Sequence, residues 1–243
     1  MSERFFIEPP ISGERAILSG SEVHHLAGVM RAKIGDEITL FDGSGCEFTG
    51  QIASLKKDRC ELTILERREF SREPQLAIVA GVALPKGDRQ KWLVEKLTEL
   101  GVTELVPLLT TRGVVQPGEN AASRLRRGVI EASKQCGRNV LMEIGAAVAA
   151  NEWFATVPAA NRRFLADPAG EPLTVSNFRS GAGPVYFAVG PEGGFTEAEV
   201  TAAKNAGWES VSVGKSILRI ETAAIALAAA CIALAKNGNE SID

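Results

Sequence analysis

Histidine is nearly missing from this chain: two residues in 243, His24 and His25, side by side. That scarcity nearly excludes a histidine-rich metal centre, and with it any relay that draws imidazoles from distant segments. Adjacent side chains point apart on a strand and on a helix alike, so the pair does not read as one ligand set and no metal is expected. Packing or a hydrogen bond suits one ring, and a polyanion the other. Cysteine is sparse as well. Cys46, Cys60, Cys136 and Cys231 form no CxxC pair, and a chain of this length builds a core without disulfides, so a reduced, cytoplasmic protein is expected. The longest apolar run, TAAIALAAACIALA at 222–235, has only 14 residues and follows Arg219 and Glu221. It is too short to span a bilayer and reads as a buried helix. The opening MSERFFIEPP has no apolar stretch of the secretory kind, so neither signal nor membrane is expected. Charge of one sign is lacking too: 27 Lys+Arg against 30 Asp+Glu leaves −3. That balance argues against a wholly basic nucleic-acid binder, while a local basic surface can hide inside it.

Two nucleotide-binding signatures are absent. Gly214-Lys215-Ser216 resembles the end of a phosphate-binding P-loop, but the first glycine of that motif would fall on Glu209, in a segment that reads as strand. No GxGxxG follows the first strand of the α/β region either, which leaves a Rossmann cofactor site unsupported.

What is present divides the chain near residue 72. Before it, RFFIEP, RAILS, EITLFDG, CEFTGQIASL and CELTILE read as short strands between Gly, Asp or Lys-rich turns, with one small helix, EVHHLAGVMR, capped by Ser21. So many short strands suggest a small closed barrel, and the charged LERREFSREPQ reads as a linker. After it, continuous apolar strands (QLAIVAGV, ELVPLL, RRFLAD, PVYFAVG, SVSVG) alternate with helices, the pattern of a parallel α/β sheet covered on both faces. In DRQKWLVEKLTEL the residues Trp92, Leu93, Leu97 and Leu100 are expected on one side of a helix, and Trp92, Trp153 and Trp208 in the core. The domains expected are therefore 1–72 and 73–243.

Two glycine loops stand out as sites. AVGPEGGFTEAEV (188–200) ends a strand in Gly190-Pro191-Glu192-Gly193-Gly194 and starts a helix at once, with Thr196 and Glu199 as capping box. VSVGKSILRIETAAIA (211–226) repeats the architecture. Ligands sit beyond the carboxyl ends of parallel strands, although every α/β protein needs strand–helix turns. A basic cluster covers Arg112, Arg124, Arg126, Arg127, Lys134 and Arg138, opposed there only by Glu119 and Glu131. It reads either as a solvated helix face or as a phosphate-contacting surface to which Gln135 and Arg138 add base-edge contacts.

At these loops the chain resembles the RsmE family, bacterial methyltransferases of ribosomal small-subunit RNA in the knotted SPOUT class, which modify uridine at N3. Six blocks in order carry the resemblance: HHLAGVMRAKIGDEITLFDGSG (24–45), ALPKGDRQKWLVEKLTELGV (83–102), TTRGVV (110–115), EASKQCGR (131–138), GPEGGFTEAEV (190–200) and VGKSILRIETAA (213–224). It implies an N-terminal PUA-like β-barrel that helps hold RNA and a C-terminal α/β trefoil-knot domain, a topology that breaks the general rule against knots. It implies S-adenosyl-L-methionine as cofactor, 16S rRNA within the assembled 30S subunit as substrate, and a homodimer. Carried onto this chain, the cofactor residues are Gly190, Pro191, Glu192, Gly193, Gly194, Val213, Gly214, Ile217, Leu218, Arg219, Thr222 and Ala223. Ser216 stands where many members carry a basic residue, and Ile220 where threonine is frequent.

Loss of the uracil N3 proton needs stabilisation of the imide anion, which a fixed guanidinium supplies without histidine. Arg138 and Arg112 are the expected catalytic groups, with Glu192 as a carboxylate that accepts or orients a proton and Gln135 as a reader of the uracil edge. His25, Arg31, Lys33, Lys86, Arg112, Arg124, Arg127 and Lys134 are the expected RNA contacts. The alternatives are a non-catalytic RNA-binding or ribosome-assembly protein on the same scaffold, and a SPOUT methyltransferase with another RNA target.

Overall fold

The computed structural model describes residues 4–115, 118, 120–178 and 183–238, the last three by their backbone only. Two compact units result: Met1–Glu73 with Ile130–Leu141, and Pro74–Val129 with Met142–Asp243.

In the first unit β1 (Arg4–Phe6), β2 (Arg15–Ser19), β3 (Glu37–Phe41), β4 (Cys46–Leu55) and β5 (Arg59–Glu69) form a mixed sheet in the order β1-β3-β4-β5-β2. Only β1 and β3 pair in parallel. Alternation along β4 sends Cys46, Phe48 and Ile52 inward to meet Phe5, Leu18, Leu40 and Leu62. The sheet path is open, with β1 and β2 at its edges, so this is a PUA-like half-barrel rather than the closed barrel expected. The segment between β2 and β3 supplies Val23 and Leu26 to the core instead. Its helix differs from expectation too. Gly20, at φ 66°, is the N-cap rather than Ser21, the regular helix α1 covers only Ser21–His24, and His25–Val29 widens into a π turn. Glycine and β-branched valine in HLAGV favour no regular helix.

Segment 130–141 is bound into this unit by polar contacts. Arg4 donates to the Ser133 carbonyl at 3.0 Å and to the Asn139 side chain, Arg72 to the Gly137 carbonyl at 3.0 Å, and Asn139 to the Phe70 carbonyl at 2.9 Å.

The second unit contains β6 (Ile78–Val82), α2 (Asp88–Glu99), β7 (Glu104–Leu109), the start of α3 (Ala121–Cys136), β8 (Glu143–Ile144), β9 (Val148–Ala149) and α4 (Ala150–Thr156). It continues with β10 (Arg162–Pro172), β11 (Val185–Val189), α5 (Glu197–Asn205), β12 (Glu209–Ser212) and α6 (Ile220–Gly238). The sheet runs β12-β10-β11-β6-β7-β8, with β9 also on β7, and every pairing is parallel. This is the sheet typical of the SPOUT trefoil-knot fold.

Trp153, Phe154 and Trp208 gather between sheet and helices, with Trp153 and Trp208 ring centroids 5.0 Å apart. Gly81 in β6 makes room for them, since a Cβ there would lie 2.4 Å from the Trp153 ring. Trp92 departs from expectation: it is 53% exposed, with the Lys96 ammonium 4.8 Å from its ring centroid. The buried stripe of α2 is Gln90, Leu93, Val94, Leu97 and Thr98, which leaves Trp92 beyond its edge. Among the described residues no helix is long and apolar enough to cross a membrane, and no group of three acidic, histidine or cysteine side chains is placed to hold a metal.

Candidate active site

Three adjacent strands, β12, β10 and β11, end on the same side, as parallel strands must, and the loops beyond them enclose a cavity of about 290 Å³. That volume lies at the lower end of the roughly 300–1,000 Å³ of small-molecule sites.

The loop after β11 is built for close approach. The Gly194 N–H donates to the Pro191 carbonyl at 2.8 Å, closing a turn in which Gly194 has φ 69°. At Gly190 a Cβ would lie 3.0 Å from the Phe195 ring and 3.1 Å from the Phe195 nitrogen. Phe195 packs edge-on to Phe154 at 5.7 Å, so the loop is moored to the aromatic core. Thr196 then starts α5 with a reciprocal capping box to Glu199. The loop after β12 runs from Val213 to Arg219 and enters α6 at Ile220. The third loop comes from a register break in β10 between Ala166 and Glu171, where Gly170 lets the chain run against the Ser210–Val211 backbone; a Cβ there would sit 2.6 Å from it.

Of the expected cofactor residues, Gly190, Pro191, Glu192, Gly193, Gly194, Val213, Gly214, Ile217, Leu218 and Ala223 line this cavity. Arg219 and Thr222 do not. Both are exposed at the start of α6, where the Arg219 carbonyl accepts from the Ala223 N–H at 2.8 Å. Sequence reasoning missed Ala166, Asp167 and Pro168, although an Asp-Pro pair closing the strand RRFLAD is a turn signal at a carboxyl end. Ser216 and Ile220, the two departures from the family pattern, also line the cavity.

Arg112 lies at the rim. Thr110 to Gly113 form a turn closed by the Gly113 N–H on the Thr110 carbonyl (3.0 Å), and Arg112 Nη1 donates to the Gly193 carbonyl at 2.8 Å. Glu192 accepts from Arg89 Nη2 at 2.9 Å. A bond from its own backbone N–H, with Arg89 and Lys86 nearby, outweighs partial burial and holds its carboxyl below the usual range. Arg89 also faces the buried Glu221 at 3.7 Å. Arg89 was not singled out in the sequence, because nothing in GDRQKW or ILRIETAA names the other as partner.

The remaining expected residues are dispersed. Arg138 is 3% exposed and belongs to the first unit, where Nε donates to Glu73 at 2.9 Å. A guanidinium held this way serves the fold of that unit. Gln135 is exposed in the same segment. Lys134 is engaged by Glu22 at 2.9 Å and by Glu131. His25 is half-buried, its ring 6.1 Å from that of Phe5. Arg31 (φ 55°) and Lys33 are exposed on the first unit, and Lys86, Arg112, Arg124 and Arg127 on the second. Arg124 donates to Gln90 at 2.9 Å. Glu119 lies outside the described residues.

Comparison with known proteins now bears on this geometry. Residues 71–232 match the model of an RNA methyltransferase domain and residues 18–65 that of an RNA methyltransferase PUA domain. The chain belongs to this methyltransferase family. Among relatives, the ribosomal RNA small subunit methyltransferase E of Synechocystis sp. is 31% identical over 92% of this chain and 75% of its own length. That of Bacillus subtilis is 29% identical over 85% of each. The crystal structure of a ribosomal RNA small subunit methyltransferase E from Neisseria gonorrhoeae, bound to S-adenosyl methionine, superposes with a TM-score of 0.88 at 33% identity over 96% of this chain and 98% of that one. A putative methyltransferase from Legionella pneumophila in complex with the same cofactor gives 0.87 at 29% identity, over 96% and 98%. The family therefore accounts for both sheets, the PUA-like one and the SPOUT one.

Proposed function

We propose that this chain transfers a methyl group from S-adenosylmethionine to N3 of a uridine in the 16S RNA of the small ribosomal subunit, and that it works as a homodimer. The observation that carries the reading is the cavity at the ends of β10, β11 and β12, with Arg112 docked on its rim. Its walls suit the cofactor in kind. Gly190 to Gly194 offer main-chain groups, Val189, Val211, Leu218 and Leu227 offer apolar surface, and Asp167 and Glu192 offer carboxylates to a cationic ligand with ribose hydroxyls. When bound, the cofactor supplies an electrophilic methyl on a sulfonium.

The residues of the chain do the rest. Uracil N3 is too weakly acidic to ionise freely at neutral pH. Arginine has five N–H donors. With one of them on the Gly193 carbonyl, the guanidinium of Arg112 is anchored while others face outward to uracil carbonyl oxygens, stabilising the imide anion. Glu192, held below the ordinary carboxylate range, is a poor proton acceptor near neutrality and serves to orient the cofactor's cationic end. The exposed cations Lys86, Arg124 and Arg127 are the phosphate contacts on this unit, and Arg31 and Lys33 those on the PUA-like one.

Calorimetric titration with S-adenosylmethionine tests the cofactor and separates the enzyme from a pure RNA-binding scaffold. Nucleoside mass spectrometry of small-subunit RNA from a deletion strain, with purified protein added back, tests the reaction. Loss and recovery of 3-methyluridine at one site is expected. Unchanged 3-methyluridine would overturn the reading.

A further inference from the structure

We infer that Glu199 is a positioning residue which, besides capping α5, holds the Thr111–Arg112 segment against the glycine loop. The inference rests on the reading of Arg112 given above. Glu199 is 3% exposed and accepts four hydrogen bonds divided between its two oxygens. Oε2 takes the Thr196 N–H at 2.7 Å and the Thr196 hydroxyl at 3.0 Å, which is the local capping box. Oε1 takes the Thr111 N–H at 2.8 Å and the Thr111 hydroxyl at 3.1 Å, across 88 residues of chain. A cap has no need of the second pair. Thr111 precedes Arg112 in the turn closed from Gly113 to Thr110, and Arg112 reaches the Gly193 carbonyl three residues before Thr196. One carboxylate thus fastens the segment that carries Arg112 to the helix that the glycine loop starts, and the arginine closes the circuit. Burial pushes the carboxyl of Glu199 up, but these four donors more than offset it and leave the group below the usual range.

The chemistry of the donor set gives a sharp probe. All four partners donate, and two are backbone N–H groups with no alternative role. A carboxylate offers two accepting oxygens, whereas an amide of the same shape offers one oxygen and one NH₂. In Glu199→Gln the oxygen goes to Thr196, three residues away in sequence, and the NH₂ meets the Thr111 N–H donor against donor, leaving only the Thr111 hydroxyl able to turn and accept. The cap survives and the long-range tether loses its backbone half.

The test uses the full chain as Glu199→Gln, Arg112→Ala, the double variant, and Thr111→Val as a milder change that spares the cap. Hydrogen exchange of the peptide covering 110–113 should accelerate in Glu199→Gln, and less in Thr111→Val, while calorimetric affinity for S-adenosylmethionine stays unchanged. The kcat for methyl transfer should fall about tenfold or more, misplacement of a reacting group being costly. Adding Glu199→Gln to Arg112→Ala should then cost nothing further. Exchange at 110–113 identical to wild type, or an equal loss of kcat with and without Arg112, would overturn the inference about Glu199. Full activity of Arg112→Ala would overturn instead the role of Arg112, leaving the exchange result to report the tether by itself.

Discussion

Glycines of one loop differ in what a side chain would meet, and the difference sorts their roles. Gly190 is hemmed by Phe195, and Gly194 adopts a left-handed φ, but a Cβ on Gly193 would make only ordinary contact with Arg112 at 3.4 Å. Gly190→Val is therefore expected to abolish cofactor binding in a calorimetric titration, whereas Gly193→Ala leaves binding measurable and disturbs Arg112. The same scale governs acid behaviour. Glu199 titrates below its unfolded value, so its contribution is complete above about pH 4.3, the ordinary glutamate value, and is lost as pH falls through the lower folded value. Glu199→Gln should accordingly show a shallower fall of melting temperature on the acid side than wild type. Arg138 shows how far from a residue its partner can lie. In sequence Arg138 reads as a catalytic guanidinium or a base-edge contact, and only the fold reveals Glu73 as its partner, 65 positions away. Arg138→Ala leaves Glu73 unpaired beside a buried gap and should cost about 3 kcal/mol, the lower range for breaking a buried ion pair. Thermal melting checks this, with cofactor affinity unaffected.

At the level of elements, periodicity was an adequate guide wherever burial was one-sided or complete. The continuous strands IVAGV, buried throughout, and VYFAV, buried except at the half-buried Tyr186, stand next to one another in the parallel sheet, and the Thr196–Glu199 signal marks the start of α5 in both sequence and structure. It failed where local chain chemistry was weak, as in HLAGV, and where a helix stripe was read one residue too wide, as with Trp92. It could not anticipate β10, whose register break supplies the third wall of the cavity, because a break depends on the partner strand. Gly81 gives the element-scale prediction. A side chain there enters the ring of Trp153, and Gly81→Val should destabilise by at least about 1–3 kcal/mol, the usual cost of overpacking. Denaturant unfolding followed by tryptophan fluorescence would register it, with a lowered midpoint and an altered native signal.

For the whole molecule, sequence distance and spatial grouping diverge. The two glycine loops were visible in the sequence because each is a contiguous string. The first unit was not, because Ile130–Leu141 returns to it after more than fifty intervening residues, fastened by Arg4, Arg72 and Asn139. That return has a temporal meaning for a chain made from its amino end. Synthesis proceeds at roughly 5–20 residues per second and domains fold as they emerge, yet here the half-barrel waits for residue 141 to complete its contacts. The cavity waits longer still, since its lining extends from Ala166 to Leu227. A nascent chain halted after β11 would present the first glycine loop with neither β12 nor α6 beside it. The cavity thus closes only once the chain has been made through Leu227.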